Sequence, residues 1–237
     1  MTDLPRLAVF DVDGTLVDSQ HNIVAAMSAA CQANGLDTPR PDAVRRVIGL
    51  SLVEAVARLF PACGEDLHLS VAHSYKDAFF AQRSRLDLAE PLFAGAMETI
   101  DALENEGWLI GIATGKSRRG VESFIRRHGF EGRFITLQSA DENPSKPHPA
   151  MLLRALAETG VKPENAVMIG DTTFDMAMGR SARVHPVGVA WGYHPPEELV
   201  DAGAETIVEE FARLPALLSA LIDTSLVERM ECASAPS

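Results

Sequence analysis

Short apolar runs recur along the chain, and in its second half they alternate with amphipathic stretches of helical period. Continuous apolar runs that alternate with amphipathic helices are typical of a parallel sheet covered by helices on both faces. We therefore predict an α/β fold with a doubly wound parallel sheet. The predicted strands are 6–10, 108–113, 134–137, 166–169 and 187–190, with a weaker one at 206–208, and the predicted helices are 96–106, 118–128, 149–159 and 174–182.

The interval between the first two strands departs from this rhythm, because residues 19–90 carry helical patterns and no strand pattern. Such an insertion is far longer than an ordinary connection between a strand and a helix. We therefore predict a helical cap domain at 19–90, with hinges near 18–21 and 89–94. Its helices are predicted around the apolar stripe Ile23, Met27, Ala30 and Cys31 and at about 42–48, 52–60 and 66–83. The core domain would comprise residues 1–18 and 91–224, followed by a frayed tail at 225–237.

Composition restricts the partners. The 237 residues are 46% hydrophobic and 23% charged, with 21 Lys and Arg against 33 Asp and Glu, which gives a net charge of −12. An acidic surface repels nucleic acid and anionic lipid. An anionic substrate would therefore need a metal or a local basic group.

The sequence shows neither a signal peptide nor an apolar run of bilayer length, and its three cysteines are widely spaced. We expect a cytoplasmic monomer or homodimer with no nucleic-acid or membrane partner.

The first candidate site is Asp11-Val12-Asp13-Gly14-Thr15, directly after the first predicted strand. Two carboxylates at this position are costly to bury unless a cation pairs with them. Gly14 permits a tight turn, and the backbone N–H groups that follow can bind phosphate oxygens. The alternative is a simple turn with aspartate caps.

Two further candidates are weaker taken one at a time. Thr114-Gly115-Lys116-Ser117 follows the second strand, where a hydroxyl and N–H groups can bind an anion, although Thr and Ser also commonly cap helices. Lys116, with Arg118 and Arg119, would either attract anions or form a solvated helix start. Lys146 lies in the proline-rich loop 145–149, where a cation can offset charge on a nucleophile and on phosphoryl oxygens. Its alternative is an ordinary solvated lysine.

The last candidate is Gly170-Asp171-Thr172-Thr173-Phe174-Asp175, after the strand at 166–169. Helix capping explains one of the two aspartates but not both. Carboxylate oxygens are the ligands that Mg²⁺ prefers. Because parallel strands end at one edge of a sheet, all four candidates are expected to meet there.

The segments DVDGTLVDS at 11–19, SKPHP at 145–149 and GDTTFD at 170–175, with Thr114 and the helical insertion, resemble the haloacid dehalogenase superfamily. The resemblance covers essentially the whole chain and is to the phosphoglycolate phosphatase-like branch, which has a helical cap. It implies a Rossmann-like core and a Mg²⁺-dependent phosphatase for a small phosphorylated metabolite, with 2-phosphoglycolate first among the candidates.

The same resemblance implies roles for the two aspartates at 11 and 13. Asp11 would be the nucleophile that forms an aspartyl-phosphate, and would also bind Mg²⁺. Asp13 would protonate the leaving alcohol and then activate water, with its backbone carbonyl on the metal. Dehalogenases lack an acid/base two residues after the first aspartate, so Asp13 favours phosphoryl transfer.

The other matching positions would hold the phosphoryl group and the metal. Asp171 would bind Mg²⁺, and Asp175 would anchor the site through metal-bound water or Lys146. The phosphoryl group would be held by Gly14, Thr114, Gly115 and Lys146. The cap would supply contacts for specificity, with Arg45 and Arg46 in VRRVIGLS as candidates because arginine suits a carboxylate or a second phosphate. Their alternative is a solvated helix face.

Two other functions stay open at this point. A sugar phosphomutase uses the same core but passes the phosphoryl group to a second hydroxyl, which requires a cap that excludes water. A sensor module would only bind metal and phosphoryl groups. Such modules lack a helical cap and have no use for a general acid at position 13.

Overall fold

The computed structural model describes residues 4–83 and 90–223, which contain one six-stranded sheet. Every pairing is parallel, and the spatial order is third, second, first, fourth, fifth and sixth strand. The order reverses between the first and fourth strands, which is where open α/β sheets bind ligands. The doubly wound parallel sheet is therefore confirmed. Its strands are β1 (Arg6–Phe10), β2 (Trp108–Ala113), β3 (Phe134–Gln138), β4 (Ala166–Gly170), β5 (His185–Val189) and β6 (Thr206–Val208).

After β1 the chain leaves the sheet and forms helices, here called the helical insertion (residues 20–83). Their apolar stripes face one another, and the first helix of the insertion packs along its last in a cluster that includes Ile23, Met27 and Val71. One element differs from the prediction, because residues 46–49 form turns and Gly49 has a φ of 98°. The helices are α1 (Gln20–Ala33), α2 (Pro41–Arg45), α3 (Leu52–Leu59) and α4 (Glu65–Arg83).

The remaining helices cover the two faces of the sheet. Successive residues of β1 alternate between the faces. Phe10 packs with the helices at 96–105 and 118–128 and with residues 214–223, whereas Val9 packs with the helices at 150–159 and 173–182. This alternation follows from the two-residue period of a strand. None of the helices in the described ranges is long and apolar enough to cross a membrane. The core helices are α5 (Ala96–Asn105), α6 (Arg118–His128), α7 (Ala150–Thr159), α8 (Thr173–Ala182) and α9 (Pro196–Asp201).

The segments that leave and re-enter the sheet run side by side. Asp18 N donates to Pro91 O at 2.9 Å, and Phe93 N donates to Leu16 O at 3.0 Å. These bonds hold the insertion over the edge where β1 ends. The domain limits at residues 19 and 90 stay a prediction, and the tail predicted at 225–237 lies outside the described residues.

Candidate active site

The loop after β1 carries two carboxylates into a nearly water-free environment. Asp11 is 1% exposed and Asp13 is 7% exposed. Gly14 turns the chain with a φ of 85°, and a Cβ at this position would lie 2.3 Å from Asp171 Oδ2. Glycine is therefore required here both for the backbone conformation and for the close approach of Asp171.

Four buried charged side chains meet at the carboxyl ends of β1 and β4. Asp11, Asp171 and Asp175 place one carboxylate oxygen each within 4.8 Å of the others. The Lys146 ammonium lies 3.1 Å from Asp11 Oδ1 and 2.6 Å from Asp175 Oδ1, and its side chain is fully buried. The structure therefore brings together residues that are far apart in sequence, as expected from the parallel strand ends.

The pKa values of these groups reflect their crowding. Burial raises the pKa of Asp11 to about 7, although Lys146 acts in the opposite direction. Burial, together with the neighbouring charges of Asp11 and Asp175, raises the pKa of Asp171 well above its usual range. Burial alone would lower the pKa of Lys146, but the two carboxylates outweigh it and the pKa rises. The cluster holds more negative charge than a single lysine can compensate.

Two of the carboxylates are fixed by hydrogen bonds from their surroundings. Asp171 accepts from the Thr15 hydroxyl at 2.7 Å and from Tyr193 N at 3.0 Å. Asp175 closes a capping box at the start of α8, where its Oδ2 accepts from Thr172 Oγ1 at 2.6 Å and from Thr172 N at 3.1 Å. Since its Oδ1 binds Lys146, both oxygens of Asp175 are engaged.

One oxygen of the nucleophile candidate has no such partner. Asp11 Oδ2 is buried and accepts no hydrogen bond, whereas Oδ1 accepts from Val12 N at 2.7 Å. An unpaired buried carboxylate oxygen beside two more carboxylates fits a bound cation. The residues present therefore suit a divalent metal at Asp11 and Asp171. The carboxylate of Asp13 is not in this cluster, and its predicted metal contact through the backbone carbonyl stays a prediction.

Asp13 belongs to a second network that sequence reasoning did not identify. Its Oδ1 accepts from Lys116 Nζ at 2.6 Å and from the Ser19 hydroxyl. The Tyr193 hydroxyl lies 3.4 Å from Ser19 Oγ. The Lys116 side chain is 7% exposed, so of the two interpretations of this lysine the solvated helix start is wrong. The sequence signal for this contact is that Lys116 follows β2 and Asp13 follows β1, because parallel strands bring both loops to the same edge of the sheet.

The loop after β2, which holds Thr114 and Gly115, approaches the helical insertion at Gly115. Thr114 is 1% exposed, and its hydroxyl accepts from Lys116 N at 3.3 Å. A Cβ on Gly115 would lie only 2.4 Å from Leu50 O. Gly115 is thus a point of close backbone approach to the insertion, a role that the sequence did not indicate. Its predicted contact with phosphate stays a prediction.

A cavity of about 540 Å³ lies between the helical insertion and the sheet edge. Asp11, Asp13, Thr114 and Lys116 line it from the core. Its size falls in the range of about 300–1,000 Å³ that is usual for small-molecule sites. Two of the four predicted chemistry-bearing loops, at 11–15 and 114–117, therefore open into a space that can hold a substrate.

The two predicted specificity arginines lie away from this space. Arg46 makes a bidentate ion pair with Glu198 of α9, at 2.6 and 2.7 Å, and Arg45 pairs with Asp42 at 3.2 Å. Neither arginine is in the cavity lining, although Gly49 of the following loop is. The structure thus does not bring Arg45 and Arg46 to the other candidate residues.

Known proteins resemble this chain in sequence and in structure. The chain matches the haloacid dehalogenase-like hydrolase family over residues 8–189. It is 30% identical to probable phosphatase IndB of Dickeya dadantii, with 92% of this chain and 96% of that protein covered. It is 27% identical to the phosphoglycolate phosphatase of Nitrosococcus oceani, with 92% and 99% covered. A haloacid dehalogenase-like hydrolase from Bacteroides fragilis superimposes with a TM-score of 0.81 at 27% identity, covering 89% of this chain and 99% of that one.

The chain therefore belongs to the haloacid dehalogenase-like hydrolase family. Within the family it is a phosphatase of the phosphoglycolate phosphatase-like branch.

Proposed function

We propose that this phosphatase hydrolyses a small phosphomonoester with the help of Mg²⁺ and that Asp11 is its nucleophile. The supporting observation is the state of the Asp11 carboxylate at the edge of the cavity. One oxygen contacts Lys146 at 3.1 Å, and the other is buried without a hydrogen-bond partner. A carboxylate held in this way is oriented, desolvated and available to a cation and to phosphorus.

In the first step a carboxylate oxygen of Asp11 attacks phosphorus, and the bond between phosphorus and the alcohol oxygen breaks. Asp13 gives its proton to that oxygen, so the alcohol leaves neutral. In the second step Asp13 takes a proton from a water molecule whose oxygen attacks phosphorus. The acyl-phosphate bond to Asp11 breaks, which releases inorganic phosphate and restores both aspartates.

The other residues would bind and orient the reacting groups. A magnesium ion would be held by the carboxylates of Asp11 and Asp171 and the backbone carbonyl of Asp13, and would neutralise charge on the phosphoryl oxygens. Asp175 would keep Lys146 in place through the 2.6 Å bond between them. The phosphoryl oxygens would be bound by Gly14, Thr114, Gly115 and Lys146.

The helical insertion would act as the cap that excludes bulk water. By resemblance, 2-phosphoglycolate is the first candidate among small phosphorylated metabolites. A mutase would transfer the phosphoryl group to a second hydroxyl of the substrate, so the two activities differ in whether free phosphate accumulates in step with substrate loss.

The test is the Asp11→Asn variant, assayed for phosphate release from a panel of phosphomonoesters with Mg²⁺. We expect release to be abolished, because the amide cannot serve as the nucleophile. Asp66→Asn, at an exposed position in the first turn of α4, is the matched control and should retain activity. Undiminished turnover by a folded Asp11→Asn protein would refute the mechanism.

A further inference from the structure

The wall that the helical insertion contributes to the cavity is largely apolar. Apart from Ser51, Tyr75 and Lys76, every described residue of the insertion in this lining is apolar or glycine. Burying the hydroxyl or carboxylate groups of a polar metabolite against such a wall leaves them without hydrogen-bond partners, which is costly. The wall therefore favours an apolar group.

An aromatic pair on α4 lines the same cavity as Asp13, the residue that would protonate the leaving group. The rings of Tyr75 and Phe79 on α4 are stacked, with centroids 5.6 Å apart and an interplanar angle of 18°. Lys116 connects this pair to Asp13, because its Nζ is 5.6 Å from the Phe79 centroid and 2.6 Å from Asp13 Oδ1. A group attached to the oxygen that Asp13 protonates would thus meet aromatic rings.

Among the described residues, the cations of the lining are poorly placed for a carboxylate on the substrate. Lys116 lies between two carboxylates, at 2.6 Å from Asp13 and 4.0 Å from Glu90, and its charge is compensated. Lys76 and Arg119 are exposed to solvent, and the Arg119 guanidinium lies 4.4 Å from the Phe80 ring centroid. A solvated cation contributes little to the binding of an anion.

We infer, on the basis of the proposed function, that the substrate is a phosphomonoester whose leaving group carries an aromatic or similarly apolar moiety instead of a carboxylate. This class replaces 2-phosphoglycolate, which is the first candidate by resemblance alone. The cavity of about 540 Å³ is much larger than a two-carbon phosphate requires. Offset stacking on the Tyr75–Phe79 pair would add to the burial of apolar surface. The phosphoryl end would bind at Asp11 and the apolar end under α4.

The first experiment compares 2-phenylethyl phosphate, ethyl phosphate and 2-phosphoglycolate as substrates of the full chain with Mg²⁺. All three are esters of primary alcohols, so kcat/KM reports mainly on recognition of the attached group. A single methylene in an apolar pocket is worth about tenfold or more. We therefore expect kcat/KM for 2-phenylethyl phosphate to exceed that of ethyl phosphate by at least about tenfold, and to exceed that of 2-phosphoglycolate as well.

The second experiment removes part of the aromatic pair. In Phe79→Ala the ratio of kcat/KM for 2-phenylethyl over ethyl phosphate should fall at least about fivefold, because the stacking surface is lost. Phe80→Ala, at a lining position that is 52% exposed, is the second variant if Phe79→Ala does not fold, and its ratio should fall too. Leu69→Ala is the matched control on the same helix, since Leu69 is 49% exposed and outside the lining. Its ratio should not change.

The outcomes separate this inference from the proposed function. Preference for 2-phosphoglycolate or equal turnover of the three esters, still lost in Asp11→Asn, overturns the inference and leaves the phosphatase mechanism standing. Failure of all three esters, together with other phosphomonoesters, overturns the proposed function. If no ester is turned over, calorimetric titration of the Asp11→Asn protein with 2-phenylethyl phosphate and ethyl phosphate still measures binding. Equal affinities for the two esters would overturn the inference.

Discussion

Replacing Lys146 with methionine removes a buried ammonium and keeps a side chain of similar length. The ammonium lies 3.1 Å from Asp11 Oδ1 and 2.6 Å from Asp175 Oδ1, and all three side chains are at most 1% exposed. The variant would leave two buried carboxylates facing each other with Asp171 nearby. We expect the metal-free variant to lose stability mainly through this uncompensated charge.

The size of the loss follows from these contacts. A hydrogen bond to a charged group contributes about 1.5–3 kcal/mol. Lys146 makes one such bond, to Asp175, and a second ion pair with Asp11. Removing one partner of a buried ion pair costs about 3–5 kcal/mol. We therefore expect the free energy of unfolding to fall by about 3–5 kcal/mol near neutral pH in the absence of metal. Natural domains have a stability of about 5–15 kcal/mol, so a variant that starts in the middle of this range remains folded, whereas one that starts at its lower end is close to unfolding.

The loss should depend on pH in a direction that Asp11 determines. Burial raises the pKa of Asp11 from its ordinary 3.8 to about 7 in the folded protein, although Lys146 opposes this. A carboxyl whose pKa is higher in the folded state stabilises the fold at low pH, and this contribution disappears as the pH rises towards 7. Without Lys146 the pKa of Asp11 rises further. The destabilisation relative to the wild type should therefore be smaller at about pH 5 than at about pH 8.

The assay is urea unfolding of both proteins in a chelator at these two pH values, followed by circular dichroism. Lys162→Met removes an exposed lysine and serves as the control, with an expected change within about 0.5 kcal/mol. Two results would refute the argument that uncompensated buried charge destabilises the variant. One is a loss of unfolding free energy in Lys146→Met no larger than in the control, and the other is a larger loss at the lower pH. Phosphate release with Mg²⁺ should also fall at least about 100-fold, because a charge-stabilising donor is lost.

Two further predictions concern the insertion and the metal. Gly115→Ala places a Cβ 2.4 Å from Leu50 O. We expect strain of about 1–3 kcal/mol between this loop and the insertion, and a drop in kcat/KM of about 5–150-fold. Gly64→Ala, where a Cβ meets nothing within 4 Å, should be neutral, and equal activity of the two variants would contradict this view. Mg²⁺ should raise the melting temperature of the wild type but not of Asp171→Asn, and an equal rise in both would exclude Asp171 as a ligand.

The strand pattern and the chemistry-bearing loops could be predicted well from the sequence. Burial on both faces of the sheet requires nearly continuous apolar strands, and β4 with all five residues buried is the clearest case. Once the sheet is parallel, its topology places every carboxyl end at one edge. The topology alone therefore predicts that Asp11, Lys146 and Asp171 lie close together.

The residues of the insertion could not be placed in this way. Arg45 and Arg46 are adjacent in a segment that looks suited to an anion, but Arg46 pairs with Glu198, 152 residues further along the chain. Which face of a helix turns towards a cavity depends on how the helix packs against distant elements. The amphipathic pattern indicates a buried face without saying what covers it.

Lys116 shows the same division between local and distant causes. Its position at the start of α6 suggested either anion attraction or solvation, and local sequence did not distinguish them. The environment of Lys116 depends on Asp13, which lies 103 residues away in the sequence. Lys116 Nζ donates to Asp13 Oδ1 at 2.6 Å.

The sequence by itself determined the fold class, the family and the nucleophile candidate, because these follow from periodicity and from motifs of adjacent residues. Only the tertiary structure decided which cations are buried, which arginines miss the cavity and how apolar its wall is, because those properties arise from packing between segments far apart in the chain.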